Sequence, residues 1–232
     1  MTLYKVLNED GTPFWGGRGR WHLPSGKRKG KWMPPIKRLL PCRRGYHVLK
    51  PEQLIEWLGP AIFEAEVRGK QIWRDDKGVV EQARLVRKLK WDEQIARLFA
   101  CDCAESVVHL VKDERSINAI RVSRRFAFGL ASEEELAASH EGAWKAACGA
   151  AGAAWEAARL AGEACASAWA AWSAARAARE AAHAARTALP LGDAMLAASR
   201  AASAALVDAQ TKRLFQYLNG EVDLKEIRRS VA

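Results

Sequence analysis

Between Ala131 and Ala209, 35 of 79 residues are alanine, and no other feature narrows the fold so far. Alanine has the highest helix propensity, so the stretch turns helical with little tertiary help. A methyl group buries little area, but it lets helices approach toward the lower end of the usual ~8 to 10 Å interaxial range. Ser132 with Glu135 reads as a capping box at the start of the tract. Pro190 and Gly192 interrupt it, and a last helix is expected from about 193 to 218. AWKAAC (143–148), AWEAAR (154–159) and AWSAAR (171–176) repeat weakly, as a duplicated helical unit would. At ~100° per residue, Trp169, Trp172, Arg176, Arg179, His183 and Arg186 share one stripe. That rail either fills gaps between alanines or offers Trp172, Arg176 and Arg179 to a partner, Trp and Arg being the residues that concentrate interface energy. Unbroken from Ser132 to Leu189 the helix would run roughly 87 Å, so breaks are expected at Gly142, Gly149, Gly152 and Gly162.

Upstream the composition changes. Residues 1–91 carry 20 Lys and Arg against 9 Asp and Glu, while the remainder carries 17 against 18, so the formal charge of +10 sits in the first part. Between Arg18 and Arg44 lie ten cations and no carboxylate: Arg18, Arg20, Lys27, Arg28, Lys29, Lys31, Lys37, Arg38, Arg43 and Arg44. Trp15, Trp21 and Trp32 are spaced through the same Gly- and Pro-rich run, which reads as a long loop. LYKVL (3–7) before NEDG reads as a strand entering a tight turn. GYHVL (45–49), AIFEAEV (61–67), QIW (71–73) and GVVEQARLVRKLKW (78–91) read as further strands, and PEQLIEWL (51–58) as a short helix opened by proline. From Asp92, placed as N-cap, the period becomes helical through Ile95, Leu98, Phe99, Val107, Leu110 and Val111. A second helix spans SINAIRVSRRFAFG and stops at Gly129. The fold class expected is α+β: a basic, Trp-containing antiparallel-sheet domain over 1–91, then an alanine-rich helical bundle over 92–232.

No apolar run reaches the ~20 residues of a membrane span, and the first residues lack a signal peptide's apolar centre; a cytoplasmic protein is expected. Cys42, Cys101, Cys103, Cys148 and Cys165 are odd in number and scattered, and are read as buried thiols. Residues two apart on a helix face nearly opposite sides, so Cys101 and Cys103 do not converge on zinc. No P-loop, GxSxG, HExxH or dinucleotide fingerprint is present, and GGRG (16–19) alone is no phosphate cradle; no cofactor is expected. His47 with Glu64 or Glu66 loosely resembles the strand-borne His and Glu of ADP-ribosyltransferases. Asp102, Glu105 and Arg115 are expected to form a buried network tying two helices together.

DCAE (102–105), ERSINAI (114–120) and RRFAFG (124–129) before an Ala/Arg-rich helix resemble a family of immunity proteins of bacterial toxin systems, over about residues 92–190. Ser116 and Ile117 stand where that family has proline and arginine. The stretch through PCRRGYHVLKPEQLIEW and IFEAEVRGK is similar to a bacterial and phage domain without an assigned activity. The resemblance implies a non-enzymatic inhibitor or immunity-type factor that blocks a macromolecular target. Its partner would be a protein with an acidic surface, or nucleic acid or a nucleoprotein complex. The alternative is a nucleic-acid-binding accessory protein, since cations neutralise phosphates while tryptophans stack on bases. An ADP-ribosyltransferase-like enzyme is the third reading.

Overall fold

The computed structural model describes residues 1–106, 108, 113–148 and 193–232; for Trp144, for 146–148 and for 193–205 it describes the backbone alone. The chain forms two units, Met1–Asp92 and Glu93–Ala232.

In the first unit, β1 (Leu3–Leu7), β2 (Tyr46–Val48), β3 (Ala61–Trp73) and β4 (Gly78–Lys88) make an antiparallel sheet in the order β1-β3-β4-β2. Tyr4 and Leu49 exchange backbone hydrogen bonds of 2.8 and 2.9 Å, joining β1 to the residue after β2 and closing the sheet into a small barrel. β3 can curl far enough because its pairing with β4 is irregular at Glu64/Ala65 and between Arg68 and Gln71, as bulged strands are. The strand expected over 61–67 and the one over 71–73 are therefore one strand, carried across Gly69. Residues 51–57 form a 3₁₀ helix (Pro51–Trp57) with proline at its start. The NEDG turn forms, with Gly11 at φ +84° and its N–H donating to Asn8 O at 3.0 Å. It leads into the long loop, and the partner of β1 is the distant β3.

The barrel interior holds Leu3, Leu7, Trp21, Val48, Phe63 and Leu85, all buried. Complete burial of each such side chain contributes about 1.5 to 3 kcal/mol. Period-two alternation places Lys5 on the same side of β1 as Leu3 and Leu7. The loop is not loose along its length: the N–H groups of Gly30, Met33 and Ile36 donate to Leu85, Ala83 and Glu81 carbonyls, laying 30–36 along the edge of β4. A side chain at Gly30 would start 2.0 Å from the His22 carbonyl oxygen, which is why the chain has none there.

The second unit contains α1 (Glu93–Glu105), α2 (Glu114–Ala127), α3 (Glu133–Cys148), α4 (Asp193–Asn219) and α5 (Leu224–Val231). α1 begins after Asp92 and stops at Glu105, short of the span expected; Val107, Leu110 and Val111 lie outside the described residues. α2 is capped by Asp113, whose side chain accepts from the Arg115 N–H, and ends before Gly129 at φ +68°. The capping box forms, Ser132 N–H to Glu135 at 2.8 Å and Glu135 N–H to Ser132 Oγ at 3.2 Å. Gly142 does not break α3, which runs continuously through it. α5, capped by Asp223, has no counterpart among the expected elements.

Where α1, α2 and α3 meet, the buried residues include Cys101, Ala104, Ala119, Ile120 and Ala143, the last from the alanine-rich tract. Beside them Asp102 accepts from Arg124 (2.9 Å), Arg213 (2.6 Å) and Tyr217 (2.8 Å), and Arg124 also meets Glu105 at 2.7 Å. The expected network is thus real in Asp102 and Glu105 but not in Arg115, which is exposed and pairs with Asp113. Arg124 takes that place because it lies on the buried face of α2. No described helix is long and apolar enough to cross a membrane.

Candidate functional site

Lys5 leaves the core-facing side of β1 with its ammonium 5.2 Å over the Trp21 ring. A lysine there is walled in on most sides, and burial lowers its pKa to about 8. Above it opens a cavity of about 750 Å³. Its aromatic wall includes Phe14, Trp15, Trp21, Tyr46 and Trp57, and its cations are Lys5, Arg18, Arg43, Arg44 and Lys77. Among the described residues no carboxylate lines it, although Asp76, outside the lining, pairs with Lys77 at 2.8 Å.

Local structure fixes each of these groups. Trp15 donates from Nε1 to the Trp57 carbonyl at 2.8 Å and stands edge-on to Trp57, 5.5 Å between centroids. Trp57 donates to Asp76 O at 2.9 Å, and Lys77 lies 4.0 Å over its ring. Tyr46 donates from its hydroxyl to Pro34 O at 2.8 Å, tying β2 to the proline segment along β4. His47 accepts at Nε2 from the Cys42 N–H at 3.1 Å. That bond steadies a turn in which Leu40 and Arg44 pair and Cys42 takes φ +63°, and the turn presents Arg43 and Arg44 at the mouth. Burial, then Lys5 and Lys77, lower the His47 pKa, keeping the ring a neutral acceptor.

The sequence-derived residues distribute unevenly over this site. Trp15, Arg18, Trp21, Arg43 and Arg44 line the cavity. Trp32 lies outside its lining, with the Arg68 and Arg84 guanidiniums 4.3 and 4.7 Å from its ring. Arg20 pairs with Asp10 at 2.8 Å and Lys29 with Glu66. Lys27, Arg28, Lys31, Lys37 and Arg38 are exposed, away from the cavity lining. Trp172, Arg176 and Arg179, with the rest of the rail, lie outside the described residues.

Glu64 and Glu66 do not join His47 at the cavity: Glu64 pairs with Arg87, and Glu66 with Arg84 and Lys29. Among the described residues no group of three His, Cys, Asp or Glu is placed to hold a metal ion. Cys101 and Cys103 are buried as expected, burial pushing the Cys101 thiol up to about 12, but Cys42 is exposed on its turn. Lys5, Tyr46, Trp57 and Lys77 were missed as site residues, although a lysine alternating in phase with Leu3 and Leu7 was a readable signal. Comparisons of the chain with protein-family models, curated proteins and solved structures find no match, so the resemblances rest on the quoted motifs alone.

Proposed function

We infer that the protein works by binding, without catalysis, and that its basic barrel engages single-stranded nucleic acid. One observation carries this: cations and aromatic surfaces face a shared hollow that no carboxylate lines among the described residues. Backbone phosphates draw on the charge, and unpaired bases on the aromatic wall. An acidic protein target, the sequence's first reading, calls for cations on a flat or convex face. Here Arg18, Arg43 and Arg44 instead surround a concavity, which favours a strand or its nucleoprotein complex as the partner. Cytoplasmic action, with Cys42, Cys101 and Cys103 as free thiols, fits that partner.

The test is a binding isotherm of the full chain on a short unstructured oligonucleotide across salt concentrations. Plotted against the logarithm of salt concentration, the logarithm of affinity should fall with a slope of roughly 0.7 per phosphate neutralised. Arg43→Gln and Arg44→Gln should each flatten that slope by about one contact. Salt-insensitive or absent binding, with capture of an acidic protein instead, overturns the reading.

A further inference from the structure

Building on the nucleic-acid reading, we propose that the cavity takes a nucleotide by its terminal phosphomonoester, with Lys5 anchoring the phosphate and Trp15 and Tyr46 flanking the base. Depth orders the cations. Lys5 belongs to the barrel wall, on the side of Leu3 and Leu7, whereas Arg18, Arg43 and Arg44 are exposed around the opening. An internal nucleotide of a strand passes over such an opening, because the chain must continue on both sides. An end can enter it.

Charge points the same way. A phosphodiester carries a single negative charge, while a phosphomonoester carries about −1.5 to −2 near pH 7, as on phosphoserine. One deep ammonium with guanidiniums above it suits the larger charge, arginine forks being well matched to phosphate oxygens. Lys5 has a ring face beneath it and, among the described residues, no carboxylate in the cavity lining, so a bound anion would supply a countercharge to it. The volume of about 750 Å³ falls within the ~300 to 1,000 Å³ typical of small-ligand sites. Gly16, Gly17 and Gly19, all at positive φ, put bare backbone along one wall, where phosphate oxygens can come close.

The ligand chemistry has two sources, a free mononucleotide and the 5′ end of a strand, and the experiment separates them. The full chain is titrated with AMP, adenosine and inorganic phosphate by calorimetry, and with one oligonucleotide bearing either a 5′-phosphate or a 5′-hydroxyl. AMP should bind at least tenfold tighter than adenosine, a factor worth about 1.4 kcal/mol. Lys5→Met should remove most of that preference, read as the ratio of AMP to adenosine affinity. Arg44→Gln, at an exposed position, serves as a second variant and should weaken AMP several-fold.

A preference for the 5′-phosphorylated strand that AMP competes away assigns the cavity to strand ends. AMP binding without any preference between the two strands assigns it to the free nucleotide. No AMP binding with equal affinity for both strands overturns the cavity proposal and leaves the nucleic-acid reading standing. AMP binding with neither strand bound does the reverse.

Discussion

Lys5→Met tests the physical premise of the site without any ligand. In the fold, the Lys5 pKa falls from 10.5 to about 8 because burial removes much of the water around its ammonium. At ~1.36 kcal/mol per unit, the charged side chain costs the fold about 3 kcal/mol at neutral pH, reduced to about 2 by water entering the open cavity. The contact over Trp21 returns about 1 kcal/mol. Methionine keeps the length and apolar stem and removes both effects, so the variant should be more stable by about 1 kcal/mol. For a unit of 92 residues that is roughly 4 to 8 °C in midpoint. The pH dependence is the sharper readout. Between about pH 8 and 10.5 the unfolded chain keeps the Lys5 proton and the fold has released it, so wild-type stability rises with pH in this window. Thermal unfolding of the full chain, followed by tryptophan fluorescence, should show the variant's advantage at pH 7 shrinking toward pH 10. A variant less stable at pH 7, or a gap that ignores pH, refutes the reasoning.

Asp102→Ala leaves the largely buried Arg124 with Glu105 alone and should cost about 3 kcal/mol in urea unfolding, whereas Arg115→Ala should stay within ~0.5 kcal/mol. His47 has its folded pKa lowered by burial and faces Lys5, Lys77 and Asp76. Its neutral form is the one the fold holds, so its contribution is complete above about pH 6.5 and declines as acid protonates it. His47→Gln, which keeps an acceptor for the Cys42 N–H, should lose less stability than wild type between pH 7 and 5, as differential thermal melts would show. Gly30→Ala brings a methyl against the His22 carbonyl and should destabilise by about 2 to 4 kcal/mol in the same melts.

The elements themselves were readable where the local pattern was strong: LYKVL, the helix over SINAIRVSRRFAFG and the Ser132–Glu135 box all form, while the Asp113 cap that starts α2 at Glu114 went unread. Closure of the barrel was not, because the Tyr4–Leu49 pairing is long-range and leaves no local pattern. Nor was the cavity. Its cations come from β1, the loop, the Cys42 turn and the residue before β4, brought together only by that closure. Charge density alone treated the ten cations of 18–44 as one surface, while the fold sends Arg20 and Lys29 to carboxylates and three arginines to the cavity mouth. Arg115 was mistaken for the network's cation because the motif is linear, and Arg124, nine residues on, points inward instead.

The proline-bearing segment docked on β4 has a consequence for recognition. Its Gly30, Met33 and Ile36 amides already occupy the Leu85, Ala83 and Glu81 carbonyls, and Pro34 and Pro35 have no amide hydrogen to offer outward. A visiting polypeptide therefore cannot pair with β4 at these three carbonyls, and the two prolines interrupt any ladder along the segment that covers them. Whatever docks beside β4 at these positions must be chosen by side chains and not by backbone pairing.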